Sequence, residues 1–118
     1  MCAIVSFEYP EDAEMLDNLG VAPSISWELD YWERTVELSI GAETLRLSYD
    51  QTGFVCLEWR EGERRLLSLS RDRADRLTVW SKGGRSYLAV DFKGELGTDG
   101  RVTVNVYPHI EITDVQRL

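Results

Sequence analysis

From Ser24 onward, apolar residues recur at every second position in short runs, and turn-forming residues interrupt the runs every eight to twelve positions. A strand points successive side chains to opposite faces, so this alternation is the signature of half-buried antiparallel strands. Ile25, Trp27, Leu29 and Tyr31 share one parity, with Ser26, Glu28 and Asp30 on the other. Beyond a break near Glu33-Arg34 the apolar set becomes Val36, Leu38 and Ile40, and the switch predicts a turn or bulge at that break. Gly41-Ala42 fits a two-residue hairpin turn before Leu45, Leu47 and Tyr49. Further turns are expected at Asp50-Gln51-Thr52-Gly53, Glu61-Gly62, Arg71-Asp72-Arg73, Gly83-Gly84 and Gly97-Thr98-Asp99-Gly100. Between them lie the stripes Val55, Leu57, Trp59; Leu67, Leu69; Leu77, Val79; Leu88, Val90, Phe92; and Val102, Val104, Val106, with Pro108 setting off Ile110 and Ile112. Short loops make sequential strands antiparallel neighbours, and eight or nine twisted strands cannot stay flat. The expectation is a single mainly β domain over residues 1–118, an antiparallel meander curled into a sandwich or open barrel.

The N-terminal segment follows another pattern. Met1 to Phe7 suits an edge strand, and Pro10 to Gly20 places Pro and acids in a first turn and Gly just after the last apolar residue, which predicts one short helix. Met15, Leu16 and Leu19 would form its apolar stripe, with Glu11, Asp12, Glu14 and Asp17 solvated. With 118 residues and 43% apolar content the chain is long and hydrophobic enough for a packed core. It contains neither a membrane-length apolar run nor a basic leader, so a cytoplasmic protein is expected.

Charge is distributed unevenly. Eight acids (Glu8, Glu11, Asp12, Glu14, Asp17, Glu28, Asp30, Glu33) precede the first basic residue, Arg34, after which acids and bases balance at thirteen each, so the net charge of -8 belongs to one segment. A localised negative field attracts a basic partner and works against a phosphate backbone. The six arginines from Arg60 to Arg76 lie among five acids, Glu58, Glu61, Glu63, Asp72 and Asp75, and read as ion-pair partners of their neighbours or of the acidic segment.

Catalytic patterns are missing. His109, the single histidine, follows Pro108 with outward parity and reads as a solvent-facing strand residue. There is no nucleophile elbow, zinc-protease helix, P-loop or dinucleotide fingerprint, and the glycine pairs fall between strands rather than before helices. The Asp91 to Glu95 stretch and Asp99-Gly100 offer oxygen atoms without calcium-loop spacing, and Cys2, Cys56 and His109 have no zinc spacing. Cys56 sits in an apolar run, where a free thiol acts as a small hydrophobe; a Cys2–Cys56 disulfide is the less favoured alternative. No catalytic residue, metal site or cofactor is expected.

Parity places Trp27 in the core and leaves Trp32 on the acidic face with Glu28 and Asp30. Trp32 then either packs under the helix, the slightly favoured reading, or anchors an interface rimmed by acids. Trp80, out of phase with Leu77, poses the same choice. The leading functional expectation is a non-catalytic binding protein whose acidic surface, carried by Glu28, Asp30, Trp32, Glu33, Glu11, Asp12, Glu14 and Asp17, occupies a basic site on another protein. By analogy of charge this is the logic of an antitoxin or immunity-type inhibitor, whose partner would be a basic protein such as a nuclease toxin. The competing reading is a carrier of a small molecule or lipid inside the curled sheet, and behind it a small enzyme using carboxylates.

Overall fold

The computed structural model describes residues 7–93 and 99–117. The order is α1 (Asp12–Leu19), β1 (Ser24–Glu28), β2 (Tyr31–Ile40), β3 (Glu43–Asp50), β4 (Val55–Glu61), β5 (Arg64–Arg71), β6 (Ala74–Lys82), β7 (Arg85–Lys93), β8 (Asp99–Tyr107) and β9 (Glu111–Arg117). Two antiparallel meanders result, β1-β2-β3-β4-β5 and β6-β7-β8-β9, and the chain changes sheet once, between β5 and β6. The meander is therefore a sandwich, with no closed barrel.

The alternating stripes face one another across a single core. Val36, Leu38, Leu45, Leu47, Val55 and Leu57 from the first sheet meet Leu77, Leu88, Val90, Val102, Val104 and Val106 from the second, all buried. Register follows the stripes: Val36 lies opposite Leu47, Leu47 opposite Leu57, and Leu57 opposite Leu69. Trp59, Leu67 and Leu69 are only partly buried and line the same core. Asp99 and Gly100, expected in a turn, are already strand residues of β8; the Met1 to Ser6 part of the expected edge strand lies outside the described residues, as do Cys2, Gly94 and Glu95.

The two edges of the sandwich are closed differently. At one, Arg71 of β5 donates through both terminal nitrogens to the Asp114 carboxylate of β9 and stands 5.7 Å from the Phe92 ring centre. At the other, residues 7–10 and α1 fill the gap. The Glu8 N–H donates to the Asp75 carbonyl at 3.0 Å and the Leu77 N–H to the Glu8 carbonyl at 2.8 Å, so Glu8 extends the β6 edge. The helix then begins at Glu11, whose side chain takes the backbone N–H of Glu14 while its own N–H donates back to the Glu14 carboxylate. It ends at Gly20, in the left-handed conformation (φ 82°). Met15 and Leu19, one turn apart, are buried, but Leu16 is half exposed, since an eight-residue helix on a sheet covers one narrow stripe.

Candidate functional site

The largest departure from the expected pattern lies at β1. Its five residues are all exposed, including Trp27 at 63%. The reversal comes at Leu29-Asp30, where a two-residue turn joins β1 to β2, rather than at Glu33-Arg34. That turn sets Trp27 opposite Trp32 and Ile25 opposite Arg34, so residues of different parity share a face. The shared face is the core side. Trp32 and Arg34 are nearer the centre and are covered, whereas the first sheet has five strands against four and β1 projects past the second layer. Tyr31, also expected inside, is on the opposite face and partly exposed. Trp27 and Trp32 thus exchange the roles that sequence parity assigned to them.

Around Trp32 the chain builds an aromatic shelf. Its ring centre is 5.0 Å from that of Tyr9 and 6.5 Å from that of Tyr49, with Phe7 6.1 Å from Tyr49 on the inner side. The Arg34 guanidinium lies 4.5 Å from the Trp32 ring centre and 5.1 Å from that of Tyr9, and its Nε donates to Asp12 Oδ1 at 2.9 Å. Arg34 thereby fixes the start of α1 to β2 by stacking and by an ion pair. Burial pushes the Tyr49 hydroxyl to a higher pKa, and no described group hydrogen-bonds it.

The hairpin is braced from the β3–β4 turn. The Asp50 carboxylate, 4% exposed as a residue, accepts the Thr52 N–H (2.8 Å) and hydroxyl (2.6 Å) and the Phe54 N–H (3.2 Å) on Oδ1, and the Tyr31 hydroxyl on Oδ2. Burial alone would raise this carboxyl, but the four donors hold it below the usual carboxylate range. The same hydrogen bond is the main reason that the Tyr31 phenol is pushed up to about 12. Next to Asp50, the Gln51 side-chain oxygen accepts the Trp32 N–H at 3.0 Å. Gly53 closes the turn at φ 86°, where a Cβ would stand 2.8 Å from the Ala74 carbonyl oxygen.

At the tip, Leu29 is 96% exposed and has φ 56°, a left-handed conformation that glycine occupies more easily than leucine. Glu28 and Asp30 flank it, and Glu33 lies on the outer face of β2; among the described residues none of the three has an ion-pair partner. Apolar surface and uncompensated negative charge therefore coincide on one projecting hairpin. The other expected site residues are dispersed. Asp12 is engaged by Arg34, and Glu11 and Glu14 by the helix cap. Asp17 lies beside Lys82 and Arg85 in a separate depression near the β6–β7 turn. Trp32 is half-buried, packed on Tyr9, Tyr49 and Arg34, and Trp80 lies exposed on the second sheet, stacked on Tyr87 at 5.3 Å. Of the two tryptophans on this hairpin, the exposed one is Trp27, which parity had placed in the core.

Several ion pairs lie elsewhere on the surface. Arg76 binds Glu8 at 2.9 Å, Arg60 binds Glu58, and His109 is exposed beside Glu111 at 3.1 Å. Arg101 stands 3.3 Å from Asp91 in the depression that Asp99 also lines, putting a cation where calcium ligands were considered. Cys56 is a free thiol in an outer-face groove, 3.5 Å from the Ser70 hydroxyl. No helix among the described residues is long and apolar enough to cross a membrane.

No protein-family pattern and no curated protein matches this chain. Its fold is similar to that of a chain in the contact-dependent growth inhibition toxin–immunity protein complex from Klebsiella pneumoniae 342. The TM-score is 0.81 at 16% identity, covering 97% of this chain and 100% of the other. At that identity the likeness is one of fold.

Proposed function

We propose that this protein is an immunity-type inhibitor that binds a basic protein toxin through the β1–β2 hairpin. The observation that carries the reading is the hairpin itself: Trp27 and Leu29 lie exposed beside Glu28 and Asp30, carboxylates with no ion-pair partner among the described residues. Exposed aromatics provide the buried area from which binding energy comes, and rim carboxylates speed encounter with a positive surface. The fold likeness to a chain of a toxin–immunity complex supports the same reading, and the acidity of this chain favours the inhibitor's side of such a pair. A nuclease fits as the partner because its phosphate-binding cleft is basic and an acidic plug would compete with its substrate. Inhibition by occupancy needs no chemistry from this chain, and a partner that acts in the cytoplasm would place the inhibitor there.

The test is capture followed by rescue. The chain, used as bait in lysate of its native host, is expected to retain one basic protein whose expression alone arrests growth and whose toxicity coexpression removes. A captured partner that is acidic, or harmless when expressed, overturns the reading.

A further inference from the structure

The edges of the two sheets are not equally protected. Exposed edges normally carry lysine, proline, a bulge or a covering segment, because unpaired main-chain groups recruit other strands. The β6 edge is covered by Glu8, and β5 carries Arg64, Arg65 and the Arg71–Asp114 clasp to β9. β1 has none of these devices. It contains no basic residue or proline and pairs with β2 without a register shift, and its apolar side chains, Ile25 and Trp27, are exposed.

Its free main-chain groups can be assigned. A two-residue turn makes Glu28 and Tyr31 a hydrogen-bonded pair, and alternation then puts Ser26 and Ser24 in the bonded positions. The N–H and C=O of Ile25 and Trp27 consequently point away from β2, and no described strand pairs with them.

We propose that β1 accepts an additional strand from a basic partner protein, which bonds to the main chain of Ile25 and Trp27 while its Lys or Arg side chains meet Glu28, Asp30 and Glu33. The inference rests on the binding role above and adds its mode, strand addition at an open edge. Charge selects the occupant. A second copy would bring another net charge of -8 and the same uncompensated carboxylates to the edge, whereas a basic strand neutralises them.

The probe is the basic protein captured by the wild-type chain, tested against Ile25→Ala and Ile25→Pro. Both variants lose the side chain, but only proline also removes the outward N–H, at an edge position that tolerates it. Ile25→Pro is expected to bind about tenfold more weakly than Ile25→Ala, because the partner's carbonyl loses its donor. In hydrogen exchange followed by NMR, the wild-type Ile25 and Trp27 amides should exchange freely in the isolated chain and become protected in the complex. The Ser24, Ser26 and Glu28 amides should be protected in both. Should Ile25→Pro not fold, the wild-type exchange pattern decides alone. Equal affinities of the two variants, or unprotected Ile25 and Trp27 amides in a formed complex, overturn strand addition and leave charge-steered binding intact. Protection of those amides in the isolated chain that grows with its own concentration assigns the edge to a second copy and overturns it too. Capturing no basic protein defeats the binding role and takes this inference with it.

Discussion

Replacing Asp50 by Asn isolates the brace beneath the hairpin. The carboxylate accepts four hydrogen bonds in a nearly closed environment, three from its own turn and one from Tyr31 at the start of β2. Asparagine keeps one acceptor oxygen, which can serve the Thr52 and Phe54 donors, but presents either an N–H or a crowded oxygen to the Tyr31 hydroxyl. Hydrogen bonds to a charged group contribute roughly 1.5–3 kcal/mol against about 1 for neutral ones. Losing one such bond and weakening three, offset by easier burial of a neutral amide, is expected to destabilise the fold by about 2 kcal/mol at pH 7. The effect should depend on pH with a definite sign. The folded carboxyl titrates below its unfolded value of about 3.9, so its stabilisation is complete above that value and is lost as the pH falls through the folded one. Urea unfolding of wild type and Asp50→Asn, followed by tryptophan fluorescence at pH 7, 5 and 3, should therefore show a gap that is full at the first two values and narrowed at the third. A gap below about 0.5 kcal/mol at pH 7, or one as large at pH 3, would refute the account of the brace.

Trp27→Ala should change stability in urea by less than about 1 kcal/mol, given the exposure of the side chain, while weakening binding to the captured partner roughly thirtyfold or more as a hot-spot residue does; a large loss of stability with unchanged binding would contradict the placement of β1. Gly53→Ala should cost about 2 kcal/mol or more in the same unfolding assay, since the new Cβ meets the Ala74 carbonyl at 2.8 Å and the backbone is left-handed. Exchanging Glu28, Asp30 and Glu33 for their amides should slow association with the partner at low salt more than it changes dissociation, and added salt should erase the difference; association rates indifferent to both would remove the electrostatic part of the proposal. Tyr31→Phe should lower the melting temperature below pH 10, and the deficit should shrink as the pH rises toward about 12, where the wild-type phenol ionises and gives up its bond to Asp50.

Sequence periodicity was most informative where both sides of a strand pair contribute to the core. The stripes of β3, β7 and β8 are buried as their alternation implies, because each of these strands has neighbours on both sides and a second layer above it. Periodicity failed at β1 for a geometric reason. Alternation reports which side chains share a face, not whether anything covers that face, and the turn at Leu29-Asp30 carries no glycine, proline or asparagine to announce itself. Read without that turn, residues 25 to 31 form one strand, and the tryptophans on its two arms change places. The charge imbalance marked the whole segment up to Glu33 and could not separate Glu28 and Asp30 from Asp12, because the ion pair of Asp12 depends on Arg34, distant in the chain. Arg34 was legible only as the end of the acidic run; its position between two aromatic rings requires Tyr9 and Trp32 to converge from separate segments.

The mismatch of five strands against four has a consequence for how this protein can change. None of the residues of β1 belongs to the buried cluster. The stability of the sandwich and the chemistry of its projecting strand are therefore set by separate groups of side chains, coupled chiefly through the Asp50 brace and the first residues of β2. Substitutions along β1 can redraw its exposed surface without opening a void in the interior, so under the proposed binding role this architecture permits rapid diversification of what is bound while the scaffold stays the same.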